Sequence, residues 1–378
     1  MTLPSFSRRQ FARTLGAAVS AAVVTERLPR AAEAGTAKDE DPGLVRLDSN
    51  ENPYGPSDAA LAAMTRAQAV ASRYPDGAEK DMGEALARAH GVTPDRIVLG
   101  CGSSDILRMA DAAFLDAGKT VVAAEPTFEA VLAYARVTRA EALKVPLTSD
   151  FRHDLARMAT VCDERTGLVY VCNPNNPTGT IVGGDALGAF LGRVPPSAVV
   201  LVDEAYHHFV EDPAYRTATS LVDRFPNLVV ARTFSKVHGM AGMRLGYAVT
   251  SVANAKALGA RASWSNANAA VLAAARASLE DEAHVARQRE LLNGTRRWLC
   301  RELERDGRRY IPSEANFMMI DVGGDVKGVI EALRARKVLV GRRFPSLSTW
   351  LRVTIGTPAE TSAFLAALRA VVPARAAA

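Results

Sequence analysis

Six short apolar runs limit what this chain can fold into: RIVLG (96–100), TVVAAE (120–125), GLVYVC (167–172), AVVLVDE (198–204), LVVART (228–233) and RLGYAV (244–249). Each is followed by turn residues, and most are rich in valine. Continuous apolar runs of this length fit strands buried on both faces. Helical patterns such as Asp105–Leu115 and Phe128–Arg136 lie between them. Strands alternating with helices predict an α/β layer, with a mainly parallel sheet flanked by helices. From about Ala253 the pattern changes. A long helix is expected over Asn268–Arg305, then strands at Phe317–Val322, Val338–Val340 and Leu351–Ile355 with helices between them. That predicts a smaller α+β domain. With 378 residues, 48% of them hydrophobic, the chain can fill two cores. The expected division is a large domain at 55–252 and a small C-terminal one at 253–378. No internal repeat interrupts this order.

Charge argues little about partners. Of the formal net +5, a net +3 sits in residues 1–34, which hold Arg8, Arg9, Arg13, Arg27 and Arg30 against Glu26 and Glu33. No cluster of lysine and arginine is long enough to track a phosphate backbone, so a nucleic-acid partner is not expected. The four cysteines (Cys101, Cys162, Cys172, Cys300) include no Cys-x-x-Cys, and neither a metal site nor a disulfide framework is expected. His207 and His208 are adjacent, a spacing that does not place two ligands on one helix face.

The N-terminus has its own logic. A twin arginine, Arg8-Arg9, precedes a weakly apolar run from Leu15 to Val24. That run is too short for a stable membrane span but fits the apolar region of a signal peptide, and Ala32-Glu33-Ala34 supplies an A-x-A cleavage pattern. Residues 1–34 therefore resemble a twin-arginine (Tat) export signal. The expectation is a periplasmic or secreted protein with no stable membrane anchor, or a cytoplasmic one if the signal is not used. Residues 35–54 read as a polar linker followed by a short segment, DSNENPYGPS (48–57), of distinct character.

Four segments carry the chemistry. NPNNPTG (173–179) follows one strand, VDEAY (202–206) ends another, and TFSKVHGMAGMRLGY (233–247) follows a third. LRVTIGT (351–357) lies in the smaller domain. Sites in open α/β sheets form at the carboxyl ends of strands, where the first three lie. Taken with DSNENPYGPS, SRYPDG (72–77) and EANFMMIDV (314–322), they resemble the fold-type-I, pyridoxal-phosphate-dependent aminotransferases, specifically the histidinol-phosphate aminotransferase family. The resemblance runs from about Leu47 to the end of the chain, with the segments in the family's order and Lys236 eight residues before Arg244.

Pyridoxal 5′-phosphate needs a lysine amine for its Schiff base and an acid against its ring nitrogen, and Lys236 and Asp203 match these needs. Asn176 and Tyr206 can donate to the ring's phenolic oxygen, and Phe128 in EPTFEA can stack on the ring. Gly102, Ser103 and Ser104 open a helix whose N-terminus suits the phosphate, with Ser235 and Arg244 completing the cup. Arg352 offers a planar fork for a substrate carboxylate. The resemblance adds Tyr74 as a contact to the neighbouring subunit's phosphate site in a homodimer, and it places Tyr54 and Asn176 on the substrate side. It implies transfer of an amino group between an amino acid or amino-acid-like amine and a 2-oxo acid, both small molecules. A decarboxylase, lyase or racemase on the same fold is the alternative, because Lys236 and Asp203 would serve those reactions too. Glu204 is expected to point away from the face of Asp203. His238 stands where a bulky apolar side chain is common, and Arg342-Arg343 form a short basic turn. The roles of these last three residues stay open.

Overall fold

Buried β-strands organise the chain. The structure, a computed structural model, describes residues 43–373; the signal-like segment 1–34 and most of the linker lie outside them. In chain order the strands are β1 (Val45–Leu47), β2 (Ile97–Gly100), β3 (Thr120–Glu125), β4 (Glu141–Pro146), β5 (Thr166–Cys172), β6 (Val199–Asp203), β7 (Leu228–Thr233), β8 (Gly246–Thr250), β9 (Tyr310–Ile311), β10 (Phe317–Asp321), β11 (Val338–Val340) and β12 (Trp350–Thr354). Seven of them form one sheet in the order β2-β8-β7-β6-β5-β3-β4. The pairings from β7 through β4 are parallel, while β8 pairs antiparallel with both β7 and β2. This is the mixed, mainly parallel α/β sheet that the apolar runs predict.

Every residue of β5, β6 and β7 is buried. Alternation along each strand divides them between two cores. Val169, Val171, Val200, Val202 and Val230 face one side, with the helices Asp76–His90, Gly184–Leu191 and Ala269–Glu280. Leu168, Tyr170, Leu201 and Val229 face the other, under the helices Ser103–Phe114 and Val252–Gly259. The strand β4 was not anticipated. It is an edge strand, and EALKVP buries only Val145 fully, so it shows no continuous apolar run.

A third core lies around β10 and β12, which pair antiparallel, together with the helices Glu282–Arg305, Val326–Arg334 and Pro358–Val371. The sequence division after residue 252 cuts into the helix Val252–Gly259 and falls ahead of Ala269–Glu280, both of which pack on the seven-stranded sheet. The long helix expected over Asn268–Arg305 is two helices. Asp281 (φ −93°, ψ 63°) leaves the helical region, and its carboxylate accepts from the His284 N–H, so it caps a new helix instead of continuing the old one. The pairing of β1 with β11, parallel from Val45↔Val338 to Leu47↔Val340, ties down the start of the described chain. The segment that follows, 48–51, reaches the cavity at the carboxyl ends of β5, β6 and β7.

Candidate active site

The carboxyl ends of β5, β6 and β7 open into a cavity of about 360 Å³. Because these strands are parallel, each delivers a polar residue to the same edge of the sheet. Asp203 ends β6, Asn176 follows β5 and Lys236 follows β7. All three line the cavity, as do Tyr206, Phe128 and Ser235. Ser103, Ser104, Arg244 and Arg352 complete the group expected from the motifs.

Asp203 is the buried acid, 3% exposed. Its Oδ2 accepts from the Tyr170 hydroxyl at 3.0 Å and its Oδ1 from the Ala205 N–H at 3.1 Å. Burial pushes its carboxyl up to about 6; the hydrogen bonds from Tyr170 and Ala205 and the charge of Lys236 oppose that rise. Lys236 is displaced the other way. Burial, with Arg352 and Arg244 adding repulsion, brings its amine down to about 8 against the pull of Glu51 and Asp203. Its Nζ donates to the Asn50 carbonyl at 2.9 Å and lies 5.4 Å from the centre of the Tyr206 ring. The Tyr206 hydroxyl accepts from Asn50 Nδ2 at 3.1 Å and from Asn176 Nδ2 at 3.4 Å, and burial holds the phenol above its ordinary pKa.

One end of the cavity is built for an anion. Gly102 caps the helix Ser103–Phe114 at φ 78°, and a Cβ there would stand 2.2 Å from Arg244 Nη2. Only glycine allows both that backbone and the approach of the guanidinium. Arg244 donates to Ser235 Oγ at 3.3 Å and to the Ala241 carbonyl at 2.9 Å. A helix N-terminus, three serines (Ser103, Ser104, Ser235) and an arginine make a phosphate cup. Phosphate cup, aromatic side chain, buried acid and low-pKa lysine together fit pyridoxal phosphate, and the residues that could hold it are the ones just described.

Arg352 comes from β12. Its Nη1 donates to Asn176 Oδ1 and its Nη2 to the Asp48 carbonyl, both at 2.8 Å, while Nε is buried without a partner among the described residues. One residue expected on the substrate side lies elsewhere. Tyr54 does not line the cavity; it is half-buried against the core around β10 and β12, with Glu360 nearby. Tyr54 sits within the turn Asn52–Gly55, which Gly55 closes at φ 70°. Tyr74 is 84% exposed and stands on a separate groove with Val70, Pro75 and the helix Ala269–Glu280.

The residues left open by the sequence also have definite places. Glu204, 1% exposed, accepts from Arg232, Tyr215, Thr217 and the Ala218 N–H, a buried pairing on the far side from Asp203's partners. His238 is buried outside the cavity, with Nδ1 2.8 Å from Ser278 Oγ and its ring 5.3 Å from that of His208. Arg343 pairs with Asp325, and Arg342 pairs with Glu129 at 2.7 Å while lying 4.3 Å from the centre of the Phe344 ring. Among the described residues no group of three or more His, Cys, Asp or Glu side chains could hold a metal ion. Tyr170 and Asn50 were not singled out by the sequence. The hydroxyl of Tyr170 inside an otherwise apolar strand was the available signal; Asn50 had none beyond its place in DSNENPYGPS.

The sequence profile of the family described as aminotransferase class I and II matches residues 42–368. This chain belongs to that family. Histidinol-phosphate aminotransferases of Moorella thermoacetica and Symbiobacterium thermophilum are each 41% identical to this aminotransferase. The first match covers 87% of this chain and 86% of that protein, the second 86% and 90%. Among solved structures, a putative histidinol-phosphate aminotransferase from Erwinia carotovora atroseptica superposes with a TM-score of 0.84 at 32% identity, covering 86% of this chain and 95% of that one. The histidinol-phosphate aminotransferase of Sinorhizobium meliloti, solved in complex with pyridoxal-5′-phosphate, gives 0.82 at 27%, covering 87% and 91%. The protein is a fold-type-I transaminase with pyridoxal 5′-phosphate as cofactor. Transamination, not the decarboxylase, lyase or racemase alternative, is its reaction class.

Proposed function

We propose that Lys236 carries the cofactor, that Asp203 faces the ring nitrogen, and that the aminotransferase works on amines bearing a distal anionic group, for which histidinol phosphate is the model, with a 2-oxo acid as the other partner. Bound pyridoxal phosphate supplies an aldehyde that joins an amine and a protonated ring that draws electrons from the substrate's Cα. The chain's own residues do the rest. Asp203 keeps the ring protonated. The Lys236 amine, brought near neutrality by burial, moves the proton at Cα. Gly102, Ser103, Ser104, Ser235 and Arg244 would anchor the phosphate, and Phe128 would offer its face to the ring.

The observation that carries the substrate class is a second guanidinium beside the one that suits an α-carboxylate. Arg342 lies 4.3 Å and Arg352 5.3 Å from the centre of the Phe344 ring, which leaves Arg342 for the distal anion. Arg342 is held by Glu129, whose side chain is 56% exposed, so an anion arriving with the substrate can replace that carboxylate at small cost. The test is an amine-donor panel with 2-oxoglutarate and pyruvate as acceptors, on protein lacking residues 1–34. Histidinol phosphate should exceed unphosphorylated histidinol by about 10²-fold in kcat/KM, the value of a charge-assisted contact of roughly 2.7 kcal/mol, and Arg342→Gln should shrink that ratio. Equal turnover of the two amines would refute the proposal.

The exposed Tyr74 and its groove support a homodimer in which Tyr74 reaches the partner's phosphate cup. Sedimentation should give a dimer, and Tyr74→Phe should loosen the cofactor; a fully active, cofactor-replete monomer would contradict it. The twin arginine supports export of the folded protein. Arg8→Lys with Arg9→Lys should leave a full-length, cofactor-loaded precursor in the cytoplasm, whereas wild-type protein that stays cytoplasmic with residues 1–34 attached would count against export.

A further inference from the structure

Lys236 and Tyr206 enter the cavity from different strands, and one residue touches both. Asn50 stands at φ 54°, in the left-handed region that asparagine tolerates, and is 2% exposed. Its backbone carbonyl accepts from Lys236 Nζ at 2.9 Å and from Asn316 Nδ2 at 3.1 Å. Its side-chain nitrogen donates to the Tyr206 hydroxyl at 3.1 Å. Its backbone N–H donates to Thr354 Oγ1 at 2.9 Å, and the Thr354 hydroxyl donates back to Asn50 Oδ1 at 3.3 Å.

This set of bonds assigns the amide: with the Thr354 proton on Asn50 Oδ1, the NH₂ is presented to Tyr206. Asn176 is fixed more tightly. Arg352 has only donors, so its Nη1 takes Asn176 Oδ1 and turns Asn176 Nδ2 toward Tyr206 at 3.4 Å. The Tyr206 oxygen thus receives two amide donors, and its own proton must go to an acceptor elsewhere.

The carbonyl side is equally specific. Two donors use both lone pairs of the Asn50 oxygen. When Lys236 turns away, Asn316 still holds that oxygen, so no buried carbonyl is left without a donor. A neutral carbonyl also differs from a carboxylate in what it does to the amine. An opposite charge at 2.9 Å would favour the protonated form strongly, whereas a carbonyl holds the amine in place and leaves it able to give up its proton.

We propose that Asn50 is a positioning residue of this site: its carbonyl receives the Lys236 amine whenever that amine is not covalently engaged, and its amide fixes Tyr206 as a donor toward the phenolic oxygen of the cofactor ring. A donor on that oxygen stabilises its anionic form, so losing the donor raises the pH at which the visible band of the holoenzyme changes. Asn50→Gly keeps the left-handed backbone and the carbonyl but deletes the amide. Asn50→Asp keeps the shape and replaces the donor with an acceptor. Thr354→Val leaves Asn50 in place and removes the hydroxyl that orients it. Spectroscopic pH titration should show the midpoint raised by about one unit in Asn50→Gly, further in Asn50→Asp and less in Thr354→Val. The kcat of Asn50→Gly should fall about ten-fold with KM for the amine little changed. If Asn50→Asp does not fold, the other two variants carry the same test. A midpoint indistinguishable from wild type in Asn50→Gly and Thr354→Val, or a midpoint that falls, overturns the proposal whatever happens to activity.

Discussion

Tyr170 and Asp203 stand on the adjacent parallel strands β5 and β6, and the Tyr170 hydroxyl donates to Asp203 Oδ2 at 3.0 Å. The tyrosine is fully buried. The bond holds the carboxylate in one orientation and opposes the upward push of burial on its pKa. Tyr170→Phe keeps the ring volume and removes only that bond. The Asp203 carboxyl should then rise above about 6 and be partly protonated near pH 7. Cofactor affinity at that pH should drop by roughly ten-fold, from a lost hydrogen bond to a charged group worth about 1.5 kcal/mol. Dialysis against limiting pyridoxal phosphate measures this. The deficit should be smaller at pH 8, where the carboxyl is ionised in both proteins; a deficit independent of pH would mean that Tyr170 acts through packing alone.

His238 predicts an acid limit on stability. It is 6% exposed, and burial, with the charge of His284 adding, pushes its imidazole from the ordinary 6.5 down to about 3. Between those values the unfolded chain binds a proton that the folded chain does not. Its contribution is therefore fully present above pH 6.5 and is lost progressively as the pH falls toward about 3. His238→Phe removes this linkage and leaves the other acid-sensitive groups in place. In urea titrations at pH 7 and pH 4.5, the variant should lose about 2–3 kcal/mol less stability between the two pH values than wild type does. An equal loss in both proteins would place the acid sensitivity elsewhere, for instance at His207 and His208, which burial also holds neutral.

What the sequence made legible follows from how many constraints each residue obeys at once. The strands β5, β6 and β7 are buried on both faces, so their apolar runs have no second reading. The polar residues just past their ends converge because parallel strands leave no other place for them. β4 stayed hidden because an edge strand can keep Glu141 and Lys144. The break at Asp281 stayed hidden because a capping aspartate inside a long helical pattern looks like any exposed acid. The tasks of Tyr170 and Asn50 depend on register and on partners far along the chain: Tyr170 lies 33 residues from Asp203, and Asn50 lies 186 residues from Lys236. No local pattern encodes such pairings. Tyr54 is placed differently from its motif. Its motif pointed to the substrate, but the side chain packs against the core around β10 and β12.

Arg352 gives the most direct test of how substrate is held. Both of its Nη atoms are already committed, one to Asn176 and one to the Asp48 carbonyl, and Nε is a buried donor with no acceptor among the described residues. The aromatic rings of Phe317 and Phe344 lie 5.8 and 5.3 Å from the guanidinium carbon. A carboxylate that satisfies Nε while displacing the Asp48 carbonyl would bind through two parallel bonds, a geometry that an ammonium cannot reproduce. Arg352→Lys should therefore cut kcat/KM for α-amino acids by about 10²-fold, or roughly 2.7 kcal/mol. Cofactor retention should survive, because Arg244 and not Arg352 belongs to the phosphate cup. Amines without an α-carboxylate should lose less, and the size of that difference separates the two tasks of the side chain. If both amine classes fall equally, the loss comes from releasing Asn176, whose Oδ1 no longer has its guanidinium partner, and not from the missing carboxylate contact. Loss of cofactor in Arg352→Lys would contradict the division of labour between the two arginines.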